Sequence, residues 1–470
     1  MRLPLLFLAA ASALLHVASA NPPVTHDKRS TVERGGVVYN VFEHAATGSK
    51  MESVRSRICE KSKKIKQYSG YVTVAPGMHM WFWFFEARQN PSTAPLAAWL
   101  SGHPGVSSMH ALFNGNGPCK FRDGKHHKKP KNNPHSFNNY ANMIYIDWQI
   151  GTGFSYGNES VTSAKEAAPY IWNLLQAFYS SFPDYKSRDF GIFTDSYGAH
   201  YGPVFAKYIL DQNKANAGEN INVVALGVSN GLHDWRIQGP ACIEYARDNR
   251  YRATINDVAS DYYMGLFVNF CLPRLDECAK FGGNTNCTQA YQVLDKKVLD
   301  NLKDSVRDPY DIRKGWDLGP DPEKYIRYLG KKRVMKKIGA RIPFRNFSPS
   351  SLNAFNKDGD FARPFLLELS EIVSSNITTL LWAGDAELLG NWNGVLDVAN
   401  SITYVGQTAF VAKPQKAYRI NGKIGGKFKT EGNLSFLKVY DAGHAVAHDQ
   451  PEVSLQAFIQ TMKKGAIEST

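Results

Sequence analysis

A serine at a sharp turn, Ser196, is the feature of this sequence that most constrains its fold. The apolar run Phe190–Thr194 before it is typical of a buried strand, and a helical pattern begins soon after it. Small residues bracket the serine, and a nucleophile elbow needs them because its strained backbone leaves little room for larger side chains. The segment therefore predicts a serine nucleophile for acyl transfer, with an ordinary strand–turn–helix carrying a serine cap as the alternative.

Short apolar runs alternate with helical patterns along most of the chain. Two of the helical patterns span Ala164–Phe182 and Tyr201–Asn213. This alternation predicts an α/β fold with a mostly parallel central sheet, whose catalytic loops lie at the carboxyl ends of strands. The strand-like runs are Trp81–Glu86, Leu96–Leu100, Met143–Asp147, Phe190–Thr194, Val223–Val228, Thr379–Ala383 and Leu434–Tyr440.

The alternation lapses between residues 235 and 376, a more polar stretch that carries four of the six cysteines. We interpret this stretch as a helical or loop insertion that caps one end of the sheet. The predicted organisation is a signal peptide at 1–20, an N-terminal leader at 21–55, a core in two parts at 56–234 and 377–470, and the cap at 235–376.

The first twenty residues have the pattern of a secretory signal peptide. Arg2 precedes an apolar run, and Ala18-Ser19-Ala20 forms a small-residue cleavage site. No later run is apolar enough to span a membrane, so we expect a secreted, lumenal or vacuolar protein. Sequons are consistent with this secretory route, and they predict glycosylation at Asn158, Asn286, Asn346, Asn376 and Asn433.

The cysteines and the charge limit the classes of partner. The six cysteines suit an oxidising compartment, and the closely spaced Cys271, Cys278 and Cys287 predict a local disulfide between two of them. The net charge of +13 predicts solvated basic faces, and in a secreted chain we expect no nucleic-acid partner. No cysteine or histidine spacing is typical of zinc, so we expect no metal and no cofactor.

A serine nucleophile needs a histidine base, and the base needs an acid that fixes its tautomer. In α/β-hydrolases these residues follow in the order serine, acid, histidine. The loop after the sixth strand-like run carries Asp385 and Glu387, and the loop after the seventh carries His444. His200 and His448 are rival bases, but neither follows a strand as directly.

The same reasoning predicts two backbone donors for an oxyanion. One is the N–H of Tyr197, directly after the serine and near a helix N-terminus. The other is the N–H of His103, in a Gly/Pro loop that follows the run Leu96–Leu100. A simple Gly/Pro turn is the alternative for that loop.

Taken in chain order, these segments resemble the serine carboxypeptidase family (peptidase S10), of the fungal carboxypeptidase S1 kind. The resemblance implies an α/β-hydrolase fold with a cap, and release of C-terminal residues from peptides through an acyl-enzyme. The matching segments are Ser69–Val72, Trp83–Arg88, Asn116–Cys119, Ile146–Asp147, Gly151–Tyr156, Asp195–Gly198, His200–Pro203, Asn230–Gly231, Ala383–Asp385, Asn391–Trp392 and Tyr440–His444.

Within the resemblance, Ser196 and His444 match the nucleophile and the base. The acid position carries Glu387 where the family has aspartate, and Asp385 is the fallback. The extra methylene of a glutamate must then be absorbed by its loop. Gly390 stands where many members have a cysteine.

Other departures lie where the family reads the terminal carboxylate of its substrate. The resemblance implies substrate binding at Ser101, Gly102 and Asp195, of which Ser101 replaces an asparagine and Asp195 a glutamate. A second glutamate position is Gly115, and His103 replaces the oxyanion-hole glycine. Three hypotheses follow: a carboxypeptidase with a degenerate carboxylate subsite, an acyltransferase or esterase acting on acyl esters, and a catalytically inactive binding homologue.

Overall fold

Sixteen strands and sixteen α-helices lie in the part of the chain that this computed structural model describes, residues 26–121, 129–314 and 323–470. The strands are β1 (Lys28–Arg34), β2 (Val37–Glu43), β3 (Lys50–Arg55), β4 (Gln67–Ala75), β5 (Met78–Phe85), β6 (Leu96–Leu100), β7 (Cys119–Lys120), β8 (Lys131–Asn132), β9 (Asn142–Asp147), β10 (Tyr156–Gly157), β11 (Asp189–Asp195), β12 (Asn222–Ser229), β13 (Thr378–Gly384), β14 (Lys416–Ile420), β15 (Lys423–Glu431) and β16 (Leu434–Val439). The helices are α1 (Met109–Asn114), α2 (Ala164–Ser181), α3 (Gly198–Lys214), α4 (Trp235–Arg247), α5 (Asp257–Leu266), α6 (Leu272–Phe281), α7 (Asn284–Leu294), α8 (Asp300–Asp304), α9 (Glu323–Leu329), α10 (Lys332–Ile338), α11 (Pro349–Asp358), α12 (Leu366–Ser374), α13 (Trp392–Ser401), α14 (Gln407–Ala412), α15 (Val446–Asp449) and α16 (Pro451–Met462). The predicted signal peptide lies outside the described residues.

All the strands except β7 and β8 join one sheet, in the order β1-β2-β3-β4-β5-β9-β6-β11-β12-β13-β16-β15-β14, with β10 paired to β5. The six strands from β9 to β16 in this order run parallel, and the strands on both flanks are antiparallel. Each of the seven predicted runs is a strand of this sheet, which confirms the α/β-hydrolase prediction. The antiparallel flanks were not predicted.

The central strands have the composition of strands that are covered on both faces. The strands β6, β9 and β13 are buried along their whole length, as near-continuous apolar runs in a parallel sheet require. One apolar cluster lies between the sheet and α2, α3, α12 and α13, and a second lies between the sheet and α1 and α16. The carboxyl ends of the central strands therefore meet at one edge, where the predicted loops lie.

The range 235–376 holds helices α4 to α12 and has an apolar cluster of its own. The disulfide Cys278–Cys287 joins α6 to α7, which confirms the predicted local disulfide, and Cys59 pairs with Cys119. Single bridges at Arg345 and Phe347 tie this range to loops of the core near the serine turn. The domain bounds stay a prediction.

The N-terminal range adds to the sheet. The strands β1, β2 and β3 lie within 21–55 and extend the sheet by antiparallel pairing, so the described part of the predicted leader is joined to the core. Among the helices of the described ranges, none is both long and apolar enough to cross a membrane.

Candidate active site

Ser196 lies in the turn between β11, which ends at Asp195, and α3, which begins at Gly198. Its φ is +55°, a left-handed conformation that costs energy for any residue other than glycine. A Cβ at Gly198 would lie 1.8 Å from Oγ1 of Thr194, so only glycine fits where strand and helix meet. The turn therefore has the strain and the tightness of a nucleophile elbow.

Neighbouring backbone fixes this conformation. The N–H of Ser196 donates to the carbonyl of Ser229 over 2.8 Å, and its own carbonyl accepts from the N–H of Leu232 over 3.0 Å. Ser229 is the last residue of β12, the adjacent parallel strand, and Leu232 lies just after that strand. The serine is 6% exposed, so its hydroxyl meets solvent only through the cleft above it.

His444 lines this cleft after the end of β16, and it contacts Glu387, a buried residue after the end of β13. The Nδ1 of His444 lies 2.9 Å from Oε1 of Glu387, which also accepts from the N–H of Gly390 over 3.2 Å. Burial raises the pKa of Glu387, whereas the contact with His444 lowers it. The contact fixes the histidine with its Nδ1 toward the acid and its Nε2 available to the cleft.

Gly390 explains how the longer acid fits. A Cβ at this position would lie 3.2 Å from Oε1 of Glu387 and 2.3 Å from the carbonyl of Asn230. The missing side chain therefore leaves room for the extra methylene of the glutamate. The two departures from the family pattern, at 387 and 390, are compensating changes at one contact.

Asp385, the fallback acid, is held elsewhere. Its carboxylate accepts from the hydroxyl of Tyr251 over 2.5 Å and the N–H of Asp441 over 2.8 Å, and it pairs with Arg250 at 3.1 Å. These partners occupy both of its oxygens. Asp385 therefore ties the cap to two loops of the core.

The rival bases lie in different surroundings. His200 is buried in α3 between Tyr197 and Phe365, and burial lowers its pKa to about 3. The Nδ1 of His448 lies 2.8 Å from the carbonyl of Asn114. Neither ring contacts Glu387 in the described structure.

Asp195 brings a second carboxylate to the catalytic histidine. Its Oδ2 lies 3.6 Å from Nε2 of His444, and its Oδ1 accepts from the N–H of Gly102 over 2.8 Å. Burial alone would lower the pKa of His444, but Glu387 and Asp195 outweigh it and raise that pKa well above its ordinary value. A Cβ at Gly102 would lie 1.7 Å from the carbonyl of Asp195, so this loop can approach only as glycine.

The two predicted oxyanion donors are free to act. The backbone N–H groups of His103 and Tyr197 have no acceptor among the described residues. His103 keeps a φ outside the left-handed region, so its side chain is accommodated without strain. Its Nδ1 lies 2.8 Å from the carbonyl of Pro104, and its ring packs near Phe347 and Phe361.

A cleft of about 640 Å³ opens over these groups. Ser101 lines it, with its carbonyl accepting from the hydroxyl of Tyr201. Sequence reasoning missed His110 as a lining residue, although α1 follows the Gly/Pro loop and places His110 and Asn114 one turn apart. The lining consists of Ser101, His103, Val106, His110, Asn114, Asp195, Ser196, Asp308, Tyr310, Lys314, Asn346, Phe347, His444, Ala445, His448 and Asp449.

The predicted glycosylation sites differ in access. Asn158 and Asn376 are exposed, whereas Asn286, Asn346 and Asn433 are half-buried. Asn346 also accepts a hydrogen bond from the hydroxyl of Tyr325 and lines the cleft. Glycosylation stays a prediction, and Asn158 and Asn376 are its most accessible positions.

Comparisons with known proteins identify the family of this chain. A family model described as serine carboxypeptidase matches residues 58–464. The sequence is 48% identical over 421 residues to carboxypeptidase S1 of Penicillium janthinellum, covering 88% of this chain and 99% of the relative. It is 32% identical over 396 residues to carboxypeptidase Y of Komagataella phaffii, covering 83% of this chain and 74% of the relative. The fold resembles that of Kex1 from Saccharomyces cerevisiae, a prohormone-processing carboxypeptidase, with a TM-score of 0.71 at 20% identity over 84% of this chain and 90% of that one.

Proposed function

This chain belongs to the serine carboxypeptidase family, and from that premise we propose that it releases C-terminal residues from peptides through an acyl-enzyme on Ser196. One observation carries the proposal. His444, whose Nδ1 lies 2.9 Å from Glu387, lines the same cleft as Ser196. The nucleophile and the base of an acyl-transfer site are thereby within reach of one substrate, and the acid contacts the base.

In the proposed reaction, His444 is neutral, with its Nδ1–H donating to Glu387 and its Nε2 accepting the proton of Ser196. The serine oxygen then attacks the scissile carbonyl. The N–H groups of His103 and Tyr197 donate to the oxyanion that forms. His444 passes the proton to the departing amine, and water releases the acyl group by the same steps in reverse order.

The alternatives are not favoured. An acyltransferase or esterase would use the same serine and histidine, but the named relatives over most of this chain are carboxypeptidases. An inactive binding homologue would have no need for the contact between Glu387 and His444 or for the compensating glycine at 390.

The direct test combines active-site labelling with a substrate panel. The protein is treated with a serine-directed phosphonate and then assayed on N-blocked peptides and on the matching esters. We expect labelling at Ser196 and release of C-terminal amino acids, detected by mass spectrometry. Labelling with ester turnover but intact peptides would favour the esterase, and absence of labelling would favour the binding homologue.

The route of the protein is part of the proposal. Two disulfides, Cys59–Cys119 and Cys278–Cys287, fit an oxidising compartment. We propose that the chain passes through the secretory pathway to the cell exterior or a vacuole. A peptide or acyl-ester substrate remains the only partner that the site itself indicates.

The pH dependence of the reaction is expected to respond to Asp195. Its carboxylate helps to raise the pKa of His444, and the base acts only when neutral. Asp195→Asn removes this charge, so His444 stays neutral to lower pH. The rising acid limb of kcat/KM for an ester should move to lower pH.

The matched control for this variant lies at the opposite end of the same strand. Asp189 begins β11 and pairs with Lys464 at the surface. Asp189→Asn should leave the pH profile unchanged. If the acid limb of Asp195→Asn moved to higher pH instead, the assigned effect of Asp195 on the pKa of His444 would be wrong.

A further inference from the structure

A second, smaller cavity of about 50 Å³ adjoins the catalytic cleft and leads inward toward β6 and β13. Its volume is sufficient for a carboxylate group or a water molecule. It lies in the space beside Gly115 and Ala447, which have little or no side chain. The residues that line both cavities are His110, Asn114, Asp195, His444, Ala445 and His448.

The inner cavity is lined by buried donors without partners. Trp99 Nε1, Asn116 Nδ2, Trp382 Nε1 and Ser454 Oγ have no hydrogen-bond partner among the described residues. The side chains are between 1% and 5% exposed. Buried donors are costly when unpaired, so four such residues around one cavity point to a ligand that supplies acceptor atoms.

His448 stands where the two cavities meet, and its tautomer is fixed. The carbonyl of Asn114, 2.8 Å away, can only accept, so Nδ1 of His448 carries a hydrogen. The neutral ring therefore has no hydrogen on Nε2. His448 can donate from Nε2 to a ligand only when it is positively charged, which suits an anionic ligand.

His110 lies on the neighbouring helix α1. Its Nδ1 is 3.4 Å from the hydroxyl of Tyr325 and 3.4 Å from Nδ2 of Asn114, and its Nε2 has no partner within the described ranges. Burial lowers the pKa of His110, and the carboxylate of Asp195 opposes that effect. A ligand carboxylate beside His110 would raise the pKa of this histidine, as Asp195 does.

The other charged groups facing these two rings are already matched. Asp195 pairs with His444 at 3.6 Å, and Lys314 pairs with Asp308 at 3.3 Å. Asp449 accepts from the N–H of Gly443 over 2.8 Å and pairs with Arg313 at 3.1 Å. The titratable groups facing His110 and His448 are thus His103, Asp195, Asp308, Tyr310, Lys314, Tyr325, His444 and Asp449, which leaves the two histidines to meet an additional anion.

We propose that His448, with His110 beside it, binds the terminal carboxylate of the substrate at the mouth of the inner cavity. The four residues with unpartnered donors that line that cavity complete the site. The inference rests on the proposed function, in which the terminal carboxylate belongs to the residue that leaves. That carboxylate lies about one residue, ~3.8 Å, beyond the scissile carbonyl, so its site must share a wall with the cleft of Ser196.

The test compares a peptide with an ester whose leaving group has no carboxylate. In His448→Gln, KM for an N-blocked dipeptide with a free C-terminus should rise about tenfold or more at pH 5. The KM of the N-blocked ethyl ester should rise far less.

A charge-restoring variant and a distant histidine complete the design. His448→Lys should recover a low KM for the peptide, because lysine restores a positive charge at this position. His135→Gln changes a histidine outside both cavities, and it should leave KM unchanged for both the peptide and the ester. Equal changes for peptide and ester in His448→Gln, or no change for either, would overturn the assignment.

A binding measurement separates this inference from the proposed function. Calorimetry with the Ser196→Ala variant compares a free-carboxylate dipeptide with its C-terminal amide and needs no turnover. Preference for the free carboxylate that disappears in Ser196→Ala/His448→Gln supports the histidine site even where peptide release fails. Equal binding of acid and amide at pH 5 contradicts it even where release succeeds.

Discussion

Replacement of Ser196 by alanine is expected to lower kcat for peptides and esters by about 10⁴-fold or more. Without the hydroxyl, His444 has no nucleophile to activate, and only the oxyanion donors and binding contacts remain. The hydrogen bonds of the turn come from the backbone of Ser196, so they survive the substitution. Steady-state kinetics and phosphonate labelling check the loss, and thermal unfolding checks that the fold is retained.

The control for this variant is an exposed serine on another helix end. Ser375 lies after α12, and its hydroxyl donates to the carbonyl of Glu371 far from the cleft. Ser375→Ala should retain full activity and full labelling. Residual hydrolysis above about one hundredth of the wild-type rate in Ser196→Ala would exclude Ser196 as the nucleophile.

The parallel centre of the sheet could be read from the sequence because its strands are buried on both faces. The strands β6 and β13 are buried along their whole length and mostly apolar, and this pattern is visible in the sequence without knowledge of the neighbouring strands. The flanking strands β1 and β15 carry many exposed polar residues, and they join the sheet only by antiparallel pairing. Their assignment depends on antiparallel pairing, which local patterns do not specify.

The site was predictable to the level of its loops but not of its contacts. The position of Ser196 and the loops after β13 and β16 follow from strand ends alone. The choice between Asp385 and Glu387 does not, because it depends on Arg250 and Tyr251, which are more than 130 residues away in sequence from Asp385. Contacts between the cap and the core leave no pattern in the local sequence around either residue.

The inner cavity shows the same limit. The sequence marks His448 as a rival base, but the fixed tautomer of this histidine depends on Asn114, 334 residues earlier. His110 had no motif to mark it. Both became interpretable only once the two cavities and the unpartnered donors lay side by side in the structure.

Glu387→Gln is the prediction that separates the two candidate acids, and kcat is expected to fall by about 10³–10⁴-fold. The amide keeps the size of the side chain but can donate to Nδ1 of His444, which then places the remaining proton on Nε2. In that tautomer the ring cannot accept the proton of Ser196. The loss should appear in kcat for peptides and esters alike.

Asp385→Asn provides the matched comparison, two residues away in the same loop. It breaks the ion pair with Arg250 and weakens the contact with Tyr251, so the melting temperature should fall while kcat stays within about tenfold of the wild type. A further variant, Glu387→Asp, withdraws the carboxylate by one methylene. Its kcat should lie between those of Asp385→Asn and Glu387→Gln, because Gly390 leaves the vacated space unfilled. If Asp385→Asn instead lost activity and Glu387→Gln kept it, the acid would be Asp385, and the compensation between 387 and 390 would need another cause.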